Sequence, residues 1–421
     1  MPKKHYSWSN GPAVIDQHSV AKHRILESYL AEYFRTLVSS PHQDELRLTL
    51  VDGFAGGGVY HHRDTRELLL GSPFICLNAT KEAELYINQD RKKPVVFKVS
   101  YFFIEADLGA AEHLKHALVE RDYGHLLNDT IFLKQAPFQD EVDGIIAYIR
   151  KKSPRNGRSI FVLDQYGYKN VPTSLIRKIL QNLPSAEVIL TFNVDALLNY
   201  ASDAMTQRLL DKIGLPDALQ GKTFQNIKDS KQDWRLYIQS MLYAQLVSAT
   251  GARHYTPFFI RTERGHGDFW LVHLSQHHRA RDVMTEVHWR NSNHFIHYGG
   301  PGLDMFQMVG YDPSKDSAAK GQIELGFCFD DVARDVSVRT LMTQIPPLVY
   351  AHDTGMSFGE LYVTTCNHSP ASAEIYREAI ERLVALSELE VRSPDGTSRR
   401  SAQQITNQDQ IIAPKQSRFF F

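Results

Sequence analysis

A chain of 421 residues and 48.0 kDa, 43% hydrophobic and 23% charged, is long enough for two or three domains and too apolar for wholesale disorder. Its 47 Lys and Arg against 48 Asp and Glu leave a net charge of -1, which excludes a global basic field; a grip on nucleic acid has to come from local patches. Apolar runs such as residues 101–104 stop far short of the ~18–20 residues that cross a bilayer, and no apolar stretch follows the basic residues near Met1. The 3 cysteines, Cys76, Cys328 and Cys366, have no metal-ligand spacing and form no disulfide framework, so a reducing cytoplasm and no membrane contact are expected.

Residues 20–37 carry Ile25, Leu26, Tyr29, Leu30, Tyr33 and Phe34 at helical spacing. Residues 46–52 then read as a buried strand ending in an acid and a glycine-rich turn. Strand signals recur at 99–104, 130–133, 159–163 and 187–193, with helical patterns at 139–151 and 173–183 between them, which predicts a parallel sheet covered by helices. A helix at 234–250 leads to two β-rich runs, 255–262 and 268–274, joined by Glu263-Arg264-Gly265-His266-Gly267 and read as an antiparallel hairpin. A hairpin closing a mostly parallel sheet separates the methyltransferase form of the doubly wound α/β fold from the dinucleotide-binding form.

Residues 291–320, rich in Gly, Asn, Ser, Asp and Pro, read as a linker. After it come a helix at 337–350 interrupted by Pro346-Pro347, a second at 357–366, and a third capped by Ser369-Pro370 and running to about 386. Strands at 388–392 and 411–413 around the turn Pro394-Asp395-Gly396 complete the outline of a winged helix. The expected division is therefore 1–290 as a Rossmann-like domain, 291–336 as connecting segment and 337–421 as a winged-helix-like domain.

The most informative segment is Asp52-Gly53-Phe54-Ala55-Gly56-Gly57-Gly58. Glycines let the chain turn sharply after a strand and let backbone N–H groups approach a ligand. The dinucleotide fingerprint G-x-G-x-x-G with an acid about 20 residues on is absent. What is present is the acid-x-Phe-x-Gly-x-Gly form of many nucleic-acid methyltransferases, in which Asp52, Gly53, Phe54, Ala55, Gly56 and Gly58 would cradle the methionine half of S-adenosylmethionine. Glu105 ends the second strand and is placed to receive the ribose hydroxyls. Its wide separation from Asp52 suggests an insertion over 60–98. At the third strand Pro137 stands where an acid often meets the adenine amino group, Asp140 lies slightly beyond, and Phe138 would pack on the adenine ring or in the core.

The fourth strand ends Asp164-Gln165-Tyr166-Gly167. Amino-methyltransferases use Asp/Asn-Pro-Pro-aromatic here: the acid and a carbonyl accept hydrogen bonds from the target amine while the aromatic stacks on a base. Asp164 and Tyr166 fill two of those roles as the catalytic pair, with Gln165, Gly167 and Asn193 as substrate contacts; Asn193 and Asp195 would equally cap the next helix. Cytosine C5 chemistry is excluded because no cysteine follows a proline. The His61-His62, His277-His278 and His288/His294/His297 groups match no zinc or facial-triad spacing, so no metal is expected.

Through Lys22-His23-Arg24-Ile25-Leu26, the loop from Val51 to Tyr60, and Gly71-Ser72-Pro73, the chain resembles the three-Cys-motif partner family, TcmP, over roughly residues 20–290. The resemblance implies a class I methyltransferase fold and S-adenosylmethionine as cofactor, and suggests a phage-related three-Cys-motif protein as partner. Family members commonly carry Asp-Pro-aromatic-Gly at the fourth strand; Gln165 departs from that. The expected function is S-adenosylmethionine-dependent methylation of an exocyclic amine of nucleic acid. The alternative is a non-catalytic methyltransferase-like scaffold, favoured by Gln165 and the missing third-strand acid. The C-terminal domain would bind DNA or RNA through a basic wing (Arg392, Arg399, Arg400, Lys415, Arg418), or protein, since its third helix carries Glu374, Glu378 and Glu381.

Overall fold

The computed structural model describes residues 8, 11–165, 171–192, 203–217, 234–260, 269–291, 295–297, 300–305 and 327–414. The chain divides into two compact units, one of Met1–Trp234 and Ile238–Val287, the other of Arg235–Tyr237 and His288–Phe421.

The first unit begins with β1 (Ala13–Ile15) and α1 (Gln17–Leu37), followed by β2 (Glu45–Asp52), β3 (Val59–His62), β4 (Leu68–Leu70) and α2 (Ser72–Asn88). Next come β5 (Val96–Glu105), α3 (Leu108–Glu120), β6 (Ile131–Gln135), α4 (Phe138–Lys152), β7 (Ser159–Leu163), α5 (Thr173–Asn182) and β8 (Ala186–Phe192). The unit closes with α6 (Asp203–Ile213), α7 (Trp234–Thr250), β9 (His254–Ile260), β10 (Phe269–Ser275) and α8 (His278–Arg290), the last running on into the second unit.

Seven of these strands lie in the order β6-β5-β2-β7-β8-β10-β9. The pairs β5–β6, β2–β5, β2–β7 and β7–β8 are parallel, whereas β10 runs antiparallel to both β8 and β9. This is the α/β class I methyltransferase sheet with its closing antiparallel hairpin. The central strands are buried over most of their length, with every residue of β7 buried, because helices shield both faces of a parallel sheet. The order reverses between β2 and β7, and a crevice outside the carboxyl ends at such a switch point is where open α/β sheets bind ligands.

The structure narrows the insertion expected over 60–98. Residues 72–88 form α2, the crossover helix between β2 and β5 that the parallel pairing requires. The extra material is the β3–β4 hairpin, which with β1 makes a separate three-stranded sheet. The apolar stripe of α1 is buried as its spacing demands, and the helix is also tied to the sheet by a polar network. Tyr29, fully buried, donates its hydroxyl to Glu187 of β8, and His273 of β10 lies 2.9 Å from the same carboxylate oxygen.

The second unit contains β11 (Phe295–His297) and β12 (Phe327–Cys328), an antiparallel pair, so the segment read as linker holds a strand. It continues with α9 (Asp331–Tyr350), β13 (Met356–Ser357), α10 (Phe358–Thr365), α11 (Ala373–Ala385), β14 (Glu390–Arg392), β15 (Ser398–Arg399) and β16 (Gln410–Ile412). Pro346 and Pro347 do not interrupt α9; they lie inside it. Two lost N–H donors near a helix end cost less than the core contacts of Val338, Leu341, Ile345 and Val349, all fully buried, return. The helix also starts earlier than the periodicity suggests, because Asp330 caps it by accepting the Ala333 N–H at 2.8 Å. The third helix, α11, is preceded by Ser372 rather than Ser369. The wing is β14 turning into β15, with β16 pairing on the other side of β14; the expected hairpin of 388–392 with 411–413 therefore gains an intervening strand. Three helices and this small sheet make a winged helix.

Candidate functional site

The register of the sheet assembles the site. Asp52 lies opposite Phe103 of β5 and Val162 of β7. Glu105 and Asp164 therefore each stand two residues further along, on either side of the loop that leaves β2. That loop is anchored to both neighbours: the Gly53 N–H donates to Val162 O and the Ala55 N–H to Ile104 O, each at 2.9 Å. Glu105 holds the loop by a third tie, its Oε2 accepting the Gly56 N–H at 2.9 Å while Oε1 accepts the Asp107 N–H at 2.8 Å.

Two glycines are dictated by conformation. Gly56 and Gly58 have φ of +58° and +77°, the left-handed region that costs other residues about 1–2 kcal/mol. Gly53 is dictated by space, since a Cβ there would sit 2.8 Å from Leu163 Cδ2 and 3.0 Å from the Phe138 ring. The Gly71 N–H returns to Gly58 O at 2.7 Å, closing the β3–β4 excursion back onto the loop.

Asp52 is 1% exposed. Its Oδ1 accepts the Phe54 N–H at 3.1 Å, and its Oδ2 is buried without a hydrogen-bond partner among the described residues. Burial pushes its pKa up to about 7, with the charges of Asp164 and Glu105 adding, against the Ser72 hydroxyl and the Phe54 N–H.

Asp164 is engaged by a residue that motif reading did not select. Lys22 of α1 places its Nζ 2.5 Å from Asp164 Oδ2. Burial alone would raise the Asp164 pKa, but the charge and hydrogen bond of Lys22, with Thr191 and His23, hold it below the ordinary carboxylate value. His23 is itself held neutral: burial and the Lys22 charge lower its pKa to about 4. Gln165 is buried, its Oε1 accepting the Val171 N–H at 3.2 Å. Gln165 Nε2 has no partner among the described residues.

Phe138 is 3% exposed and packs beneath Gly53, with Phe54 and Phe161 rings 6.3 Å and 6.4 Å away. Its position supports the turn from below. Tyr166, Gly167, Asn193 and Asp195 lie outside the described residues. Motif reading also missed Trp8, whose indole approaches so closely that a Cβ on Gly57 would lie 2.3 Å from it. Trp8 packs against His113 and Tyr60 at 4.8 Å and 5.2 Å, and His113 Nδ1 lies 2.7 Å from Gly57 O. The Lys22-His23-Arg24 run, set just before the apolar stripe of an amphipathic helix, was the available signal for the Lys22 contact. Among the described residues no group of His, Cys, Asp and Glu is arranged to hold a metal ion, and no helix is long and apolar enough to cross a membrane.

Residues 310–396 match the family model of the GMT-like wHTH domain. No curated protein matches the chain. Among solved structures, a protein assigned as an S-adenosyl-L-methionine-dependent methyltransferase from Methanococcus maripaludis aligns at 12% identity over 62% of this chain and 90% of that one, with a TM-score of 0.26. PKMT2 from Rickettsia typhi, in complex with AdoHcy, aligns at 13% identity over 59% of this chain and 54% of its own, with a TM-score of 0.27. A protein assigned as a zinc-dependent alcohol dehydrogenase from Rhodobacter sphaeroides reaches 0.24 at 12% identity, over 60% and 98% of the two chains. At these scores the strand order and register carry the fold assignment.

Proposed function

We propose that the chain is an S-adenosylmethionine-dependent methyltransferase acting on an exocyclic amine of nucleic acid. The observation that carries the reading is the tie between the Gly56 N–H and Glu105, which sets a left-handed glycine turn and a strand-end carboxylate side by side at the carboxyl ends of β2 and β5. The residues fit the cofactor in two respects: left-handed Gly56 and Gly58 turn the loop tightly after β2, where a Cβ would strike Tyr60 or Leu114, and Asp52 Oδ2 is a buried acceptor with no hydrogen-bond partner among the described residues. Asp52 to Gly58 would hold the methionine half, Glu105 the ribose, and Asp164 with Gln165, Tyr166 and Gly167 the target. Bound there, the cofactor supplies an electrophilic methyl group on a sulfonium. The chain's own contribution is to hold the amine against Asp164, whose carboxylate stays ionised across the neutral range and accepts its N–H.

On this reading residues 1–290 are the methyltransferase-like domain and 337–421 a winged-helix module that brings nucleic acid to it, and the chain falls with the three-Cys-motif partner family. Isothermal titration with S-adenosylmethionine tests the first step. Saturable heat that is lost in Gly56→Ala is expected; absence of binding at millimolar cofactor by a folded protein sinks the proposal. One observation favours the scaffold alternative: Gln165, which replaces the proline of the amine-binding motif, is spent on the Val171 backbone. Methyl transfer from labelled cofactor to DNA or RNA, abolished in Asp164→Ala, separates the two readings.

A further inference from the structure

Asp164 already holds an amine. Lys22 reaches it from a helix 142 positions away in sequence, at 2.5 Å, with the Lys22 side chain 13% exposed and that of Asp164 36% exposed. Two features separate this pair from an ordinary surface ion pair. Asp164 directly follows the strand that flanks the switch point, two residues past the level of Asp52 and next to the glycine loop, where a transferred group would meet its acceptor. The neighbouring His23 is neutral near pH 7, which leaves Lys22 as the cation held there.

We propose that Lys22 Nζ is itself a methyl acceptor, and that the chain methylates its own Lys22 in cis when S-adenosylmethionine is bound. The inference rests on the methyltransferase reading and goes beyond it by adding a second acceptor, a primary alkyl amine presented on α1. In the step, the ammonium, on a side chain that is 13% exposed, first gives one proton to water. The freed lone pair then attacks the cofactor methyl: an N–C bond forms, the S–C bond breaks with its electron pair passing to sulfur, and S-adenosylhomocysteine leaves. The methylated ammonium still carries N–H groups for Asp164 after one or two additions and none after three. The expected products are therefore mono- and dimethyl-lysine, without trimethyl-lysine.

The test uses the full chain, methyl-labelled S-adenosylmethionine and peptide mass spectrometry, with cofactor binding followed in parallel by calorimetry. Label is expected on the Lys22 peptide, at a first-order rate that does not change on dilution of the protein. It should vanish from that peptide in Lys22→Arg and fall by at least about tenfold in Asp164→Asn, the loss of roughly one charge-assisted hydrogen bond. If cofactor binds and Lys22 stays unmodified, self-methylation is overturned while the cofactor site stands. A rate proportional to protein concentration, or equal labelling in Lys22→Arg, overturns it as well. If the folded chain binds no cofactor, it is the underlying methyltransferase reading that fails.

Discussion

Asp52 shows how strongly this fold controls one side chain. A carboxyl buried beneath a loop of backbone amides keeps its proton to about pH 7 instead of losing it near 3.8. The folded chain therefore binds this proton more tightly than the unfolded chain, and the sign follows from linkage: below about 3.8 the group contributes no pH dependence, between 3.8 and 7 stability falls as pH rises, and above 7 the penalty is constant. The penalty is on the order of 4 kcal/mol at its plateau. Asp52→Asn removes the titration while keeping the shape. Relative to the native chain, the variant is expected to gain stability steadily from pH 4 to pH 7 and no further above it, measured by urea denaturation at several pH values. A stability difference that does not vary with pH would show that Asp52 titrates normally.

At the scale of elements, α1 is the helix on which most depends, since it delivers Lys22 to Asp164 near its start and Tyr29 to Glu187 near its middle. Burial, followed by the Glu187 charge and hydrogen bond, raises the Tyr29 pKa well above its ordinary value, so the hydroxyl remains a donor at all working pH. Tyr29→Phe takes one hydrogen bond from a carboxylate that is 7% exposed and is expected to cost about 1–3 kcal/mol in chemical denaturation. Equal stability would mean that the apolar stripe alone holds the helix. That stripe was legible in the sequence because its spacing is local, and so were the acids that end β5 and β7. The partners of Lys22 and Tyr29 were not legible, because helical periodicity tells which face is buried and says nothing about which strand end it meets. The same limit applied to α11. Its glutamates read as an acidic face, yet Arg334 of α9 lies 2.9 Å from Glu374 and 3.0 Å from Glu378, and Arg382 lies 2.7 Å from Glu378. Pro346 and Pro347 misled in the opposite way, since local propensity yielded to the core packing of α9.

At the scale of the whole molecule, a net charge of -1 leaves nucleic-acid affinity to whichever basic residues are not already spent. In residues 327–414 of the winged-helix unit there are 7 Arg and no Lys against 12 Asp and Glu, a balance of -5. Most of those arginines are committed. Arg377 donates to Ile405 O and lies over the Phe358 ring, Arg392 pairs with Glu390, and Arg399 sits 3.5 Å from the buried Asp409. Arg400 is exposed and has no ion partner among the described residues. With Lys415 and Arg418 beyond the described segment, about three cations remain for phosphates. Each phosphate neutralised contributes about -0.9 to the slope of log K against log salt, so duplex DNA held through this wing is expected to show a slope no steeper than about -3. Fluorescence anisotropy between low and physiological salt measures it. Replacing Arg400, Lys415 and Arg418 together by Ala should flatten the slope to near zero and weaken binding for all sequences alike. A steeper native slope, or one that survives the triple substitution, would place the phosphate contacts outside the wing.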